Sequence, residues 1–248
     1  MCGSFSSKSS FLQHWRAFAV HMPRRRRSDL YTLEQKNQLE NRVSHFSPMS
    51  LQDVPVTHVL YLHGFRSSPL SNKAQQMARA VAAKSPNTVW YCPQLPASPN
   101  LAMRELADQI AQWPRANMAV IGSSLGGFYA TYLAEKWGCK CVVLNPAIDA
   151  ARDLTRAIGE HTLWHIPSES FHFKAEYVDE LRALQVRNIT RPERYYAVIA
   201  KGDEVLDWRE MSAHYLGSPG VIQEGGDHAI SNFDEHLPGI LAFLNLAT

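Results

Sequence analysis

The chain has 248 residues, 45% hydrophobic and 19% charged, with a formal net charge of +2. That balance suits one globular domain with a sizeable core. The four cysteines (Cys2, Cys92, Cys139 and Cys141) lack zinc spacing and suggest no disulfide framework, and no apolar stretch is long enough to span a membrane. A reducing cytoplasm is therefore the expected location.

The charge is unevenly distributed. Residues 1–48 carry eight Lys/Arg against three Asp/Glu, including the run Arg24-Arg25-Arg26-Arg27, which leaves 17 basic against 20 acidic residues in the rest. Phe18-Ala19-Val20 is too short for a signal-peptide core, and the basic run follows it instead of preceding it. Residues 1–48 are expected to be a disordered basic extension or an over-long start, in preference to a transit peptide or a nucleic-acid-binding arm. Met49 stands just before the first strand as an internal start for a folded unit over 49–248.

Strands and helices then alternate. His58 to Leu62 reads as a buried strand followed by His63-Gly64-Phe65, and Ser67-Ser68-Pro69 caps a helix over 70–83. A strand over 88–92 closes at Pro93, and a helix over 100–113 ends before Pro114. Met118 to Ile121 is the third strand, and a helix running through Phe128 to Ala134 ends near Gly138. Residues 140–144 form the fourth strand. An irregular insert spans 148–191, longer than an ordinary crossover, with a helix over 175–184. The fifth strand covers 195–200, a helix 208–216, a short sixth strand 220–223 and a last helix 233–246. Six alternations without an internal repeat predict a three-layer α/β/α doubly wound, mostly parallel sheet, with ligands at the carboxyl ends of its strands.

The chemistry gathers at those ends. Between the third strand and its helix lies Gly122-Ser123-Ser124-Leu125-Gly126, the strand, Gly-x-Ser-x-Gly, helix pattern of a nucleophile elbow. A bare Gly-x-Ser-x-Gly arises by chance in about one chain in ten of this size, so the remaining residues decide. A phosphate cradle would need Gly-x-Gly-x-x-Gly or Gly-Lys-Ser/Thr, and neither is present. Serine needs a base to take its proton, and the base needs a partner to fix its tautomer. Asp203 follows the fifth strand and His228 follows the sixth, so nucleophile, acid and histidine occur in the order this fold uses. Asp207 competes as the acid but is also placed to cap the helix at Trp208. Asp227 adjoins His228 and is expected to point elsewhere. The backbone N–H groups of Leu125 and Phe65 are the expected oxyanion donors, with His63 as a loop-fixing residue, and Gly64, Gly122 and Gly126 clearing space. Asn145-Pro146 either lines the pocket or only turns the chain.

Taken together, His63-Gly64-Phe65-x-Ser67-Ser68, Gly122-x-Ser124-x-Gly126-Gly127, Gly202-Asp203-Glu204-Val205-Leu206-Asp207 and Gly225-Gly226-Asp227-His228 resemble the small bacterial YqiA-type esterases of the α/β-hydrolase superfamily. The resemblance covers about residues 56 to 246. It implies a cytoplasmic serine esterase acting on short-to-medium acyl esters or thioesters, with Ser124, Asp203 and His228 as the triad and with no metal or cofactor. The same triad would also serve a thioesterase or an acyltransferase, and a non-catalytic binding protein on the same fold is the other class. Leu163, Trp164, Ile166, Phe171 and Phe173 in the insert form either a small cap or ordinary packing.

Overall fold

A computed structural model describes residues 54–246. The extension expected over 1–48 lies outside the described residues. Six strands form one parallel sheet: β1 (His58–Leu62), β2 (Val89–Tyr91), β3 (Met118–Ser123), β4 (Lys140–Leu144), β7 (Tyr195–Ala200) and β8 (Gly220–Gln223), in the spatial order β2-β1-β3-β4-β7-β8. A second, two-stranded antiparallel sheet pairs β5 (Gly159–Thr162) with β6 (Ser170–Phe173).

The strands are apolar on both faces because each face is covered by helices. Leu60, Leu62, Val120 and Val143 pack beneath α2 (Pro99–Gln109), α3 (Leu125–Trp137), α5 (Ala175–Ala183) and α6 (Trp208–His214) through Met103, Leu133, Leu181 and Met211. Val59, Tyr61, Ile121 and Leu144 face the opposite side, under Met77 and Val81 of α1 (Asn72–Lys84) and Phe233 and Ile240 of α7 (Phe233–Phe243). Neighbouring residues along each strand thus enter different cores, as the period of two requires.

Chain direction across the sheet reverses between β1 and β3: β2 lies outside β1, and every later strand is added on the β3 side. Crossovers leave that junction in opposite directions and open a crevice at the strand ends. Register keeps the ends level, with Leu62 opposite Gly122, Ser123 opposite Leu144 and Leu144 opposite Val198.

Several boundaries differ from expectation. The first helix is capped at Ser71, two residues later than expected, because Leu70 N–H bonds Ser68 Oγ in the preceding turn. The helix expected over 100–113 stops at Gln109 and continues as a turn. The elbow helix starts at Leu125, directly after the serine. The last helix ends at Phe243 and accommodates Pro238 within its second turn. The insert is not irregular: it contains a short helix, α4 (Ala150–Leu154), and the β5–β6 hairpin before α5.

Candidate active site

Ser124 stands between β3 and α3 with φ 56° and ψ −122°, a region that L-residues other than glycine rarely occupy. The sequence makes this possible by removing side chains from the approach. A Cβ on Gly122 would lie 2.1 Å from the carbonyl oxygen of Gly126, and one on Gly126 would lie 2.0 Å from that of Leu62. The strained backbone is tied on three sides. Ser124 N–H donates to Leu144 O at 3.0 Å, while Ser124 O accepts from Gly127 N–H at 2.9 Å and Ala147 N–H at 3.1 Å.

His228 and Asp203 reach this serine from two other strand ends. His228 Nε2 lies 3.1 Å from Ser124 Oγ, and Nδ1 lies 2.8 Å from Asp203 Oδ2. The Asp203 side chain is wholly buried and that of His228 is 18% exposed, so the pair is shielded while the serine end stays open to a cavity. Asp203 Oδ1 accepts from Val205 and Leu206 N–H, both at 2.8 Å, which saturates the carboxylate and fixes its plane. Asp207 does not take part. It caps α6, accepting from Arg209 N–H at 2.9 Å. Asp227 turns away and holds Ser231 through its N–H and hydroxyl.

The loop after β1 supplies the opposite wall. A Cβ on Gly64 would sit 3.2 Å from Ser124 Cβ, so the Gly64–Phe65 peptide runs beside Ser124, and Phe65 and Leu125 flank it. His63 is a loop-fixing residue. It is 4% exposed, its Nε2 accepts from Leu95 N–H at 3.2 Å and its Nδ1 bonds Gly64 O at 3.0 Å. Burial pulls its pKa down to about 4, so the neutral ring is the folded form at neutral pH.

The hairpin that sequence reading missed holds this loop. Phe65 meets the rings of His161, Phe171 and Phe173 edge-on, with centroids 5.0, 5.6 and 5.4 Å away. Arg66 Nε donates to Thr162 O at 3.1 Å, and Arg66 O accepts from Trp164 N–H at 3.0 Å. The insert's apolar residues therefore divide their roles. Phe173 and Leu163 are buried, whereas Trp164 is 61% exposed at the cavity.

Two further residues position the histidine loop. Asn145, wholly buried with φ 40°, accepts from Ala200 N–H at 2.8 Å and donates through Nδ2 to Asp227 O at 3.0 Å and His228 O at 3.3 Å. It joins the ends of β4 and β7 to the loop after β8, which is more than turning the chain. Glu204 accepts from His228 N–H at 2.9 Å. The sequence signal for both is weak, because each acts on backbone groups that only the fold brings near.

The serine opens into a cavity of about 1010 Å³ shared by Ser124, His228, Leu206, Ala150 and Trp164. A smaller one of about 190 Å³, lined by Leu95, Tyr129, Leu163 and Phe171, lies along Phe65 and Leu125. Among the described residues, no group of His, Cys, Asp or Glu is arranged to hold a metal ion, and no helix is long and apolar enough to cross a membrane.

Six parallel strands, helices on both faces and a serine turn at the switch point define the α/β-hydrolase fold. Solved structures agree on the fold. Alpha/beta hydrolase domain-containing protein 10 from mouse superposes with a TM-score of 0.57 at 14% identity, covering 76% of this chain and 89% of that one. The esterase domain of a Rhodothermus marinus protein gives 0.56 at 17% identity, covering 77% and 85%. Residues 58–245 match UPF0227, described as an uncharacterised protein family, and the chain belongs to it. A UPF0227 protein of Serratia proteamaculans is 24% identical over 191 residues, covering 76% of this chain and 99% of that protein. One from Vibrio parahaemolyticus is 22% identical over 192 residues, covering 75% and 99%.

Proposed function

We propose that the protein is a serine hydrolase that cleaves small acyl esters or thioesters through an acyl-enzyme. The observation that carries this reading is the unbroken chain from buried Asp203 through His228 to Ser124, at 2.8 and 3.1 Å, ending on a serine held at φ 56°. Asp203 accepts a hydrogen bond from His228 Nδ1–H, which leaves Nε2 free to accept the Ser124 hydroxyl proton. Ser124 Oγ attacks the acyl carbonyl, and the negative charge that develops on its oxygen meets the N–H groups of Phe65 and Leu125. Leu125 is the first residue of α3, so the positive end of that helix adds to the same stabilisation. His228 then delivers the proton to the leaving oxygen or sulfur. A water activated by the same nitrogen releases the acid and restores the serine.

The apolar pocket along Phe65 and Leu125 takes the acyl chain in this reading, which favours short-to-medium acyl groups. Cys92, Cys139 and Cys141 are free thiols, which suits a reducing compartment such as the cytoplasm. A fluorophosphonate probe tests the assignment. It should label the protein, and Ser124→Ala should abolish both labelling and ester hydrolysis while the fold is kept. Ser123→Ala should lose far less. Labelling that persists in Ser124→Ala refutes the proposal.

A further inference from the structure

The body of the chain is mildly acidic, with 17 basic against 20 acidic residues after position 48. The wall of the large cavity has the opposite balance, with Arg66, Lys73, Arg152 and Arg156 against Asp153 and Glu204. Arg152 is neutralised by Asp153 and Glu210, with N–O distances of 2.9 and 2.7 Å. Glu204 is occupied by His228 N–H. Among the described residues, Arg66, Lys73 and Arg156 have no carboxylate within ion-pair distance.

Lys73 is the residue that structural rules explain least. It lies in the first turn of α1, where the helix dipole disfavours a cation, and that turn holds no acidic residue. Ser71, the N-cap, makes no side-chain capping bond. Lys73 Nζ donates to Ala229 O at 2.5 Å, directly beside the histidine. In the same wall, Tyr61 Oη and Ser71 Oγ are buried without a hydrogen-bond partner, so two hydroxyls there are free to bond a ligand. Burial lowers the Lys73 pKa to about 8 against the opposing pull of Asp227 and Asp203, and the ammonium is still the major form at neutral pH.

We infer that the cavity recognises an anionic group, carboxylate or phosphate, on the alcohol half of the substrate, with Lys73 as the specificity-determining cation and Arg156 adding to its field. This rests on the hydrolase reading above. The side is set by the chemistry: His228 must hand its proton to the leaving oxygen, so the leaving half lies toward His228 and Ala229, where Lys73 stands. An anion there meets the ammonium and the positive end of α1 together. The pocket along Phe65 and Leu125, which takes the acyl half, is lined by both Arg66 and Glu169 and by neither Lys73 nor Arg156.

The test compares acetyl esters of the meta and para isomers of hydroxybenzoate, hydroxyphenyl phosphate and the neutral hydroxybenzamide. Each kcat/KM is divided by the ester's own rate of uncatalysed hydrolysis. At pH 7 and low salt the anionic esters should exceed the amide by about tenfold or more, which corresponds to about 1.4 kcal/mol of differential transition-state binding. The larger of the carboxylate and phosphate ratios identifies the group, and added salt should shrink both. In Lys73→Met the ratio should collapse toward one, Lys73→Arg should restore it, and Arg156→Gln should reduce it. Because the ratio is read within each variant, a general loss of turnover cancels. Equal turnover of amide and anionic esters by the unmodified protein overturns the inference and leaves the hydrolase intact, as does a ratio retained in Lys73→Met. Absence of Ser124-dependent turnover of any ester removes both.

Discussion

Replacing Asn145 with alanine tests whether one buried amide holds the histidine loop in place. The change leaves Ala200 N–H without its acceptor and the carbonyls of Asp227 and His228 without their donor. A buried backbone N–H left unpaired costs about 1–3 kcal/mol. Alanine at φ 40° adds about 1 kcal/mol, because asparagine tolerates the left-handed region better. The sum is about 3 kcal/mol, which for a body of this size lowers Tm by about 6–12 °C. The effect on turnover should be separate and larger than stability alone explains. The loop that carries His228 loses its anchor to β4 and β7, and a displacement of about 1 Å in a reacting geometry costs about 10²-fold. Thermal melting followed by circular dichroism, with ester turnover measured well below the variant's Tm, reads the two effects independently. Asn145→Gly is the internal control. Glycine accepts φ 40° freely, so it should be the more stable of the two variants while losing a similar amount of turnover. An alanine variant that melts within about 2 °C of the parent, or one that keeps full turnover, refutes the clamp.

Other outcomes follow from the same geometry. Asp203→Asn should cut turnover by about 10⁴ with little change in Tm, because it spoils the histidine tautomer. Asp207→Asn should instead cost about 1 kcal/mol of stability as a weakened cap and keep most activity; a kinetic loss falling on Asp207 would reverse the assignment. His63 titrates at about 4 when folded and near 6.5 when unfolded. Its stabilising contribution is therefore complete above about pH 6.5 and is lost as pH falls toward 4. Denaturant titrations of His63→Gln should show a shallower loss of stability across that window, and an unchanged slope would rule this out. Lys73, facing Asp203, Asp227, Glu204 and His228, should make the anionic-to-neutral ester ratio fade as pH rises through about 8, and a ratio flat to pH 9 contradicts that. A chain starting at Met49 should fold and keep full activity, and an insoluble or inactive product would show that the preceding residues are needed.

Sequence periodicity carried the main sheet well because its inner strands are apolar runs bounded by punctuating residues, and parallel burial leaves little else they can be. Ser124, Asp203 and His228 could be picked out as candidates for a related reason: Ser124 directly follows β3, Asp203 and His228 lie in the loops after β7 and β8, and the register brings those strand ends level. The β5–β6 hairpin was not legible. Gly-Glu-His-Thr and Ser-Phe-His-Phe are only four residues each and mostly polar, and they stand apart from the main sheet, so no long apolar alternation marks them. Asn145 was visible only as a pocket-lining or turn residue, because its partners at Ala200, Asp227 and His228 are remote in sequence. Lys73 carried no signal of its own in the sequence. Its environment is created by the loop after β8, which no local pattern announces.

The hairpin that clasps Phe65 and Arg66 is built from a single excursion between β4 and β7, while the serine, the aspartate and the histidine all come from outside it. The roof over the cavity is thus genetically separable from the machinery beneath. An exchange of residues 148–191 between relatives would replace Arg156, His161, Trp164 and the walls they form in one step, without touching the relay. Such a graft has two constraints: its helix must still cover the sheet as α5 does through Leu181, and whatever replaces the hairpin must still grip the loop after β1, or the peptide beside Ser124 loses its seat. Replacing the insert would thus change what the cavity admits while leaving Ser124, Asp203 and His228 in place.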